Sequence, residues 1–203
     1  MLSAIILAAG ESSRMGRPKA ALLWRGKPFI EHVCSALRQA GGEDRVAVLG
    51  GSSEEILASW KPVGEKVAVN PKPERGQLSS LRAGLGSVSE YAEAFMVCLA
   101  DQPTVSPETY KKLIAFWLSH KDCIVIPRTL RAADSRMKRG HPIIIPAAHK
   151  HLCFEGPLDK GLHWVTHHPS VKTADLDLND PEIIRDFDTP EQYEALRAGD
   201  TSR

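Results

Sequence analysis

Ala4-Ile5-Ile6-Leu7-Ala8 is apolar without a break, and a strand that lacks polar alternation has to be covered on both faces. The pattern returns along the chain. Short apolar runs at 45–49, Lys66–Val69, Ala94–Leu99, 124–126 and 142–145 read as strands. Amphipathic segments stand between them. Phe29, Ile30, Val33, Leu37 and Ala40 recur at helical spacing before the stop Gly41-Gly42. Helices are predicted over 54–60, capped by Ser52 or Ser53, over 78–88, over Pro107–Leu118 with Ser106 as N-cap, and over Pro190–Ala198. Residues 128–139 are polar and basic and read as a loop, and short elements fill 147–178. Strands that alternate with helices imply an α/β fold whose mainly parallel sheet carries helices on both faces. Ligands of such sheets bind at the carboxyl ends of the strands. The loops at 9–20, 50–53, 70–80 and 100–106 are therefore where chemistry is expected.

Composition sets limits on that chemistry. The chain has 203 residues, 26 Lys and Arg against 25 Asp and Glu, and a formal net charge of +1. That length suits a single domain over residues 1–203. A nucleic-acid coat or a polybasic membrane binder would carry a marked cationic excess, so neither partner is expected. Cys34, Cys98, Cys123 and Cys153 form no CxxC pair, and three of them sit in apolar runs, as reduced buried thiols do. No secretory signal is visible, and no apolar stretch approaches the roughly 20 residues that span a bilayer. A soluble, cytoplasmic protein is expected.

The first loop departs from this average. Gly10-Glu11-Ser12-Ser13-Arg14-Met15-Gly16-Arg17-Pro18-Lys19 joins glycines, which let N–H groups converge on an anion, to three fixed cations. Phosphate is the natural guest. The spacing matches neither a P-loop nor GxGxxG, since Ala20 follows Lys19 and no third glycine is in place. Asp101 closes the apolar strand ending Cys98-Leu99-Ala100, where a carboxylate suits a hard cation such as Mg²⁺ and equally suits a turn cap before Gln102-Pro103. Ser79 and Ser80 stand at a predicted helix start, where hydroxyls and N–H groups hold phosphate or cap the helix. His163 and His167 are four apart, but no carboxylate or thiol completes a metal site with them.

Leu7-Ala8-Ala9-Gly10 with Ser12, Arg14, Gly16 and Lys19 resembles the opening of the MobA-like nucleotidyltransferases, in particular the molybdenum cofactor cytidylyltransferase branch. Further stretches agree in order: Asn70-Pro71 with Gly76 and 79–85, Leu99-Ala100-Asp101-Gln102-Pro103, Gly140-His141-Pro142, and 186–191. The likeness runs over about residues 4 to 196. It implies a Rossmann-like doubly wound sheet of the nucleotide-diphospho-sugar transferase type, and transfer of a nucleoside monophosphate to a phosphorylated acceptor with release of pyrophosphate.

The resemblance also implies roles. The backbone of Leu7, Ala8, Ala9 and Gly10 frames the base, and Asn70, Ser79, Ser80 and Asp101 contact the nucleotide. Arg14 and Lys19 neutralise charge at the α-phosphorus, because phosphoryl-type transfer is run by positioning and electrostatics. Mg²⁺ is held by Asp101 and a second carboxylate, Asp188 with Asp186 as the fallback, although Asp188-Thr189-Pro190 also reads as a helix cap. His141 lies on the acceptor side with no catalytic role. Ala8-Ala9 before Gly10 looks like the CTP-using branch, whereas the GTP-using branch carries Ala-Gly-Gly. The implied acceptor is molybdopterin, and a molybdoenzyme would receive the product. Alternatives are GTP, a sugar phosphate or methylerythritol phosphate as substrate, or a non-catalytic nucleotide-binding maturation partner. Two segments depart from the family pattern: 159–163 has Leu162-His163 where Ala-Arg is usual, and 74–77 is bulkier and more charged than usual. Both fall on features expected to set specificity.

Overall fold

The computed structural model describes residues 1–10 and 15–199. Strand β1 (Leu2–Ala8) lies in the interior of the sheet. A short hairpin, β2 (Leu23–Trp24) and β3 (Lys27–Pro28), leads into α1 (Phe29–Gln39). Then follow β4 (Asp44–Leu49), α2 (Ser53–Ser59), β5 (Lys66–Val69), α3 (Gln77–Leu85), β6 (Ala94–Leu99) and α4 (Pro107–Leu118). The second half contributes β7 (Cys123–Arg131), β8 (Arg136–Arg139), β9 (Ile143–Pro146), α5 (Lys150–Glu155), α6 (Gly161–Thr166), β10 (Lys172–Asp177) and α7 (Pro190–Ala198). Among the described residues, eight strands form one sheet in the order β10-β7-β9-β6-β1-β4-β5, with β8 paired to β7. β1 is parallel to β4 and β6, β5 to β4, and β10 to β7, while β9 runs antiparallel between β6 and β7.

The unbroken apolar run of β1 is explained by its two covered faces. Ile5 and Leu7, with Val46 and Val48 of β4, pack under Leu78, Leu81 and Leu85 of α3 and Leu162 of α6. Ala4, Ile6, Ala47 and Leu49 pack on the other face beneath Ile30, Val33 and Leu37 of α1 and Leu113 of α4. Each large side chain fully buried in this way contributes roughly 1.5–3 kcal/mol. Ser106 caps α4 by accepting from the Thr109 N–H at 3.2 Å, as its sequence placement predicts.

Three expectations need correction. Residues 128–139 are not a loop: β7 continues to Arg131 and pairs with β8 as an antiparallel hairpin. Its arginines meet carboxylates from a distant strand. Arg128 Nη2 lies 2.7 Å from Asp177 Oδ1, and Arg139 Nε lies 2.9 Å from Asp175 Oδ1, both carboxylates belonging to β10. The helix predicted over 78–88 stops at Leu85 with Gly86 as its cap. Ser52 holds the N-cap position of α2 without a side-chain cap bond, and Trp60 lies past that helix, its Nε1 donating to Glu31 Oε2 at 3.0 Å.

Candidate active site

Because β1, β4, β5 and β6 run parallel, the loops that follow them gather along one edge of the sheet. A cavity of about 280 Å³ opens there. Leu7, Ala8, Ala9 and Gly10 line it from the end of β1, Ser80 from α3, and Lys19 and Asp101 at its polar side. All seven of these are among the residues singled out in the sequence. Arg14 lies outside the described residues.

Lys19 opens a one-turn 3₁₀ segment, Lys19–Ala21, anchored by the buried Ala20 and Ala21. Its side chain is 20% exposed and its ammonium is clamped between two carboxylates. Nζ donates to Asp101 Oδ2 at 2.9 Å and also to Asp188 Oδ1. Burial by itself would lower the Lys19 pKa, but the two carboxylates outweigh it and hold the ammonium above its ordinary value. Asp188 is available for this contact because Thr189, not Asp188, caps α7. Thr189 Oγ1 accepts from the Gln192 N–H at 3.3 Å, and Gln192 Oε1 accepts from the N–H groups of Thr189 and Asp188 at 3.1 and 2.7 Å.

Asp186 takes another role. Its Oδ1 accepts from Gln102 Nε2 at 2.9 Å, and Gln102 also reaches the Ile183 carbonyl at 3.3 Å. Burial raises the Asp186 pKa, and the neighbouring charges of Asp101 and Asp188 push it the same way, against the Gln102 hydrogen bond. The sequence marks Gln102 only as part of a motif; its burial at 4% exposure and its two bonds are tertiary facts.

Asn70 and Ser79 do not line the cavity. Asn70 is buried, and its Nδ2 donates to Ser79 Oγ at 2.8 Å and to Ser80 Oγ at 3.0 Å, while its Oδ1 accepts from the Lys72 N–H at 3.0 Å. Ser79 Oγ in turn donates to the Gly76 carbonyl at 2.9 Å. These two side chains shape the loop that carries Ser80 to the cavity wall. Pro73 lines the cavity and was not singled out in the sequence, although the strand-end rule had already marked its loop, and Gln77 lines it from the 74–77 segment. Arg17 leans towards α2, its Nε 3.8 Å from Glu55 Oε1.

His141 does not line the cavity. Its N–H donates to the Ile183 carbonyl at 2.9 Å, and its Nε2 is buried with no hydrogen-bond partner among the described residues. Burial pushes its pKa down to about 4 against the pull of Asp101, so the ring is neutral at pH 7. His163 and His167 stack at 3.9 Å between ring centroids.

The donor set fits a divalent metal. Two hard carboxylate oxygens converge on one cationic atom at the mouth of a cavity, and Mg²⁺ characteristically uses one or two carboxylates and takes its other ligands from phosphate and water. Among the described residues no cluster of three His, Cys, Asp or Glu side chains offers a closed protein cage.

Comparison with known proteins places the chain and its fold among related sequences and structures. The family model described as MobA-like NTP transferase domain matches residues 4–170. A protein named Nicotine blue oxidoreductase, from Paenarthrobacter nicotinovorans, is 30% identical over 149 residues, 72% of this chain and 71% of its own. A Molybdenum cofactor guanylyltransferase from Xanthomonas euvesicatoria pv. vesicatoria is 27% identical over 197 residues, 95% of this chain and 92% of its own. The crystal structure of Rv0371c from Mycobacterium tuberculosis H37Rv superposes with a TM-score of 0.84 at 28% identity, covering 97% of both chains. Its complex with manganese gives 0.80 at 26% identity, over 97% of this chain and 98% of that one. No helix among the described residues is long and apolar enough to cross a membrane.

Proposed function

The chain belongs to the MobA-like NTP transferase domain family, and on that premise we propose that it transfers CMP from CTP to molybdopterin, with Mg²⁺, releasing pyrophosphate in the cytoplasm. The observation that carries this reading is the Lys19 ammonium held between Asp101 and Asp188 at the mouth of the strand-end cavity. In the proposed reaction an oxygen of the acceptor's phosphate attacks the α-phosphorus. The bond from that phosphorus to the β-phosphate oxygen breaks, and pyrophosphate leaves with the electron pair. Lys19 meets the charge that builds on the α-phosphate, and Arg14 of the same loop is its proposed companion. Asp101 and Asp188 are the carboxylates that would hold Mg²⁺, which supplies Lewis-acid neutralisation of the triphosphate. Ala8 and Ala9 support CTP over GTP: two methyl groups at the wall of a cavity of about 280 Å³ favour the smaller base.

Pyrophosphate release with CTP or GTP and each candidate acceptor tests the proposal. Turnover with CTP and molybdopterin, lost in Asp101→Ala, is the expected result. A preference for GTP, or no release with any acceptor, would overturn it. A second reading is favoured by the 30% identity to the protein named Nicotine blue oxidoreductase: the cavity would hold a nucleotide intact as a redox cofactor. Hydride transfer from NADH or NADPH to an added two-electron acceptor such as a quinone, without pyrophosphate release, would select that reading.

A further inference from the structure

A groove of about 1070 Å³ adjoins the nucleotide cavity and shares Gly76 and Gln77 with it. Residues 74–77 form one wall and 154–163 the other. These walls contain the two segments in which the chain departs from its family's pattern, and they close on one another: a Cβ at Gly76 would lie 3.5 Å from the Leu158 carbonyl oxygen. The far wall is fixed from below. Arg82 of α3 donates from Nε to the Cys153 carbonyl at 2.7 Å and from Nη2 to the Gly156 carbonyl at 2.6 Å.

The cations on the two walls differ from Arg82. Arg75 on one side and Lys160 on the other line the groove, and among the described residues neither side chain has an ion pair or a hydrogen bond. Phe154 lies in the same groove and is 48% exposed, so its ring face is open to a guest. Glu155 and Asp159 on the far wall and Glu74 beside Arg75 on the near wall add acceptor oxygens. Two uncommitted cations, an exposed ring and carboxylate acceptors describe one kind of guest. It carries a phosphomonoester on a body that has an apolar face and N–H or O–H donors.

We propose that this groove is the acceptor site, with the acceptor's phosphate held between Arg75 and Lys160 beside the nucleotide cavity and its body lying over Phe154. The inference rests on the transferase reading above, because only a two-substrate transfer needs a second site that opens into the first. It goes further in assigning acceptor selection to Arg75, Lys160 and Phe154 on the two walls of this groove.

Direct binding and turnover together test it. Molybdopterin, methylerythritol phosphate and glucose 1-phosphate are titrated calorimetrically against wild type, Arg75→Ala, Lys160→Ala and the double variant, and nucleotide binding is measured in parallel. At least one phosphomonoester should bind wild type, and each single variant should weaken it about tenfold. Nucleotide affinity should stay within twofold, Arg75→Lys and Lys160→Arg should restore most of the loss, and Phe154→Ala should discriminate against molybdopterin more than against the sugar phosphate. Acceptor binding unchanged in the double variant, or no binding of any of the three compounds, would overturn the groove assignment. Acceptor binding that responds to the variants while no pyrophosphate is released would leave the groove standing and remove the transferase reading.

Discussion

The Lys19 ammonium and its two carboxylates form a set of three charges in which each member restrains the others. Removing Lys19 leaves Asp101 and Asp188 facing each other across the cavity mouth and withdraws the fixed cation from the α-phosphate. Lys19→Ala is expected to lower kcat for pyrophosphate release by about 10²–10³, with circular dichroism unchanged. Undiminished turnover would refute its role. The two neighbouring carboxylates separate on the same logic. Asp188 touches the ammonium, whereas Asp186 is turned towards Gln102. Asp188→Asn should therefore raise the Mg²⁺ concentration needed for half-maximal rate well above that of Asp186→Asn, and the reverse order would assign the second ligand to Asp186.

Among the elements, α3 brings the nucleotide cavity and the groove together. It carries Gln77 and Ser80 to the cavity and Arg82 to the groove wall, and it can do so because it lies very close to the sheet. Gly84 makes that approach possible: a Cβ there would stand 2.5 Å from Ile5 Cγ2 and 2.8 Å from Val48 Cγ2. Gly84→Ala is expected to destabilise by about 1–3 kcal/mol through overpacking. In a chain of this size that shifts the melting temperature by roughly 2–4 °C per kcal/mol. Calorimetry that shows no shift would mean the helix can lift away at no cost. The β7–β8 hairpin teaches a related lesson. Its arginines look like solvated loop charges until β10 supplies Asp175 and Asp177 beside them.

At the scale of the molecule, a buried ionic cluster joins α1, β4 and the segment before β5. The Glu65 side chain is fully buried, and its Oε1 accepts from Arg45 Nε at 2.9 Å and Arg38 Nη1 at 2.7 Å. Its Oε2 accepts from the Val63 N–H at 2.5 Å. Burial would raise the Glu65 pKa, yet these donors outweigh it and hold the carboxyl below its ordinary value of 4.5. A depressed folded-state pKa means the contribution is whole above that ordinary value and is lost as pH falls through the lower one. Glu65→Gln should cost about 3–5 kcal/mol at pH 7, since it leaves buried arginine charge unmatched. The gap from wild type should narrow in acid as the native carboxylate takes up its proton. Urea denaturation across pH measures both, and a gap independent of pH would show that the charge of Glu65 is not what stabilises the cluster.

Much of the architecture was legible in the chain itself, because burial leaves a local record. The unbroken run at β1, the 3.6-residue spacing of Phe29 to Leu37 and the Ser106-Pro107 start each encode their element in adjacent residues. The strand-end rule then located the loops of the cavity, and seven of the marked residues line it. Other features have no local signature. Lys19 meets Asp101 across 82 positions and Asp188 across 169, and a pairing at such distance exists only once the sheet has placed β1 beside β6 and returned the chain past both. Nor could residue type separate Ser80, which lines the cavity, from Asn70 and Ser79, which hold its loop in shape. The basic glycine loop in a nearly neutral chain, and its strand-end position, were determined by sequence alone through composition and periodicity. Which carboxylates face the lysine, and which cations remain uncommitted in the adjoining groove, were decided only by tertiary structure, because both depend on distances between parts of the chain that no local pattern relates.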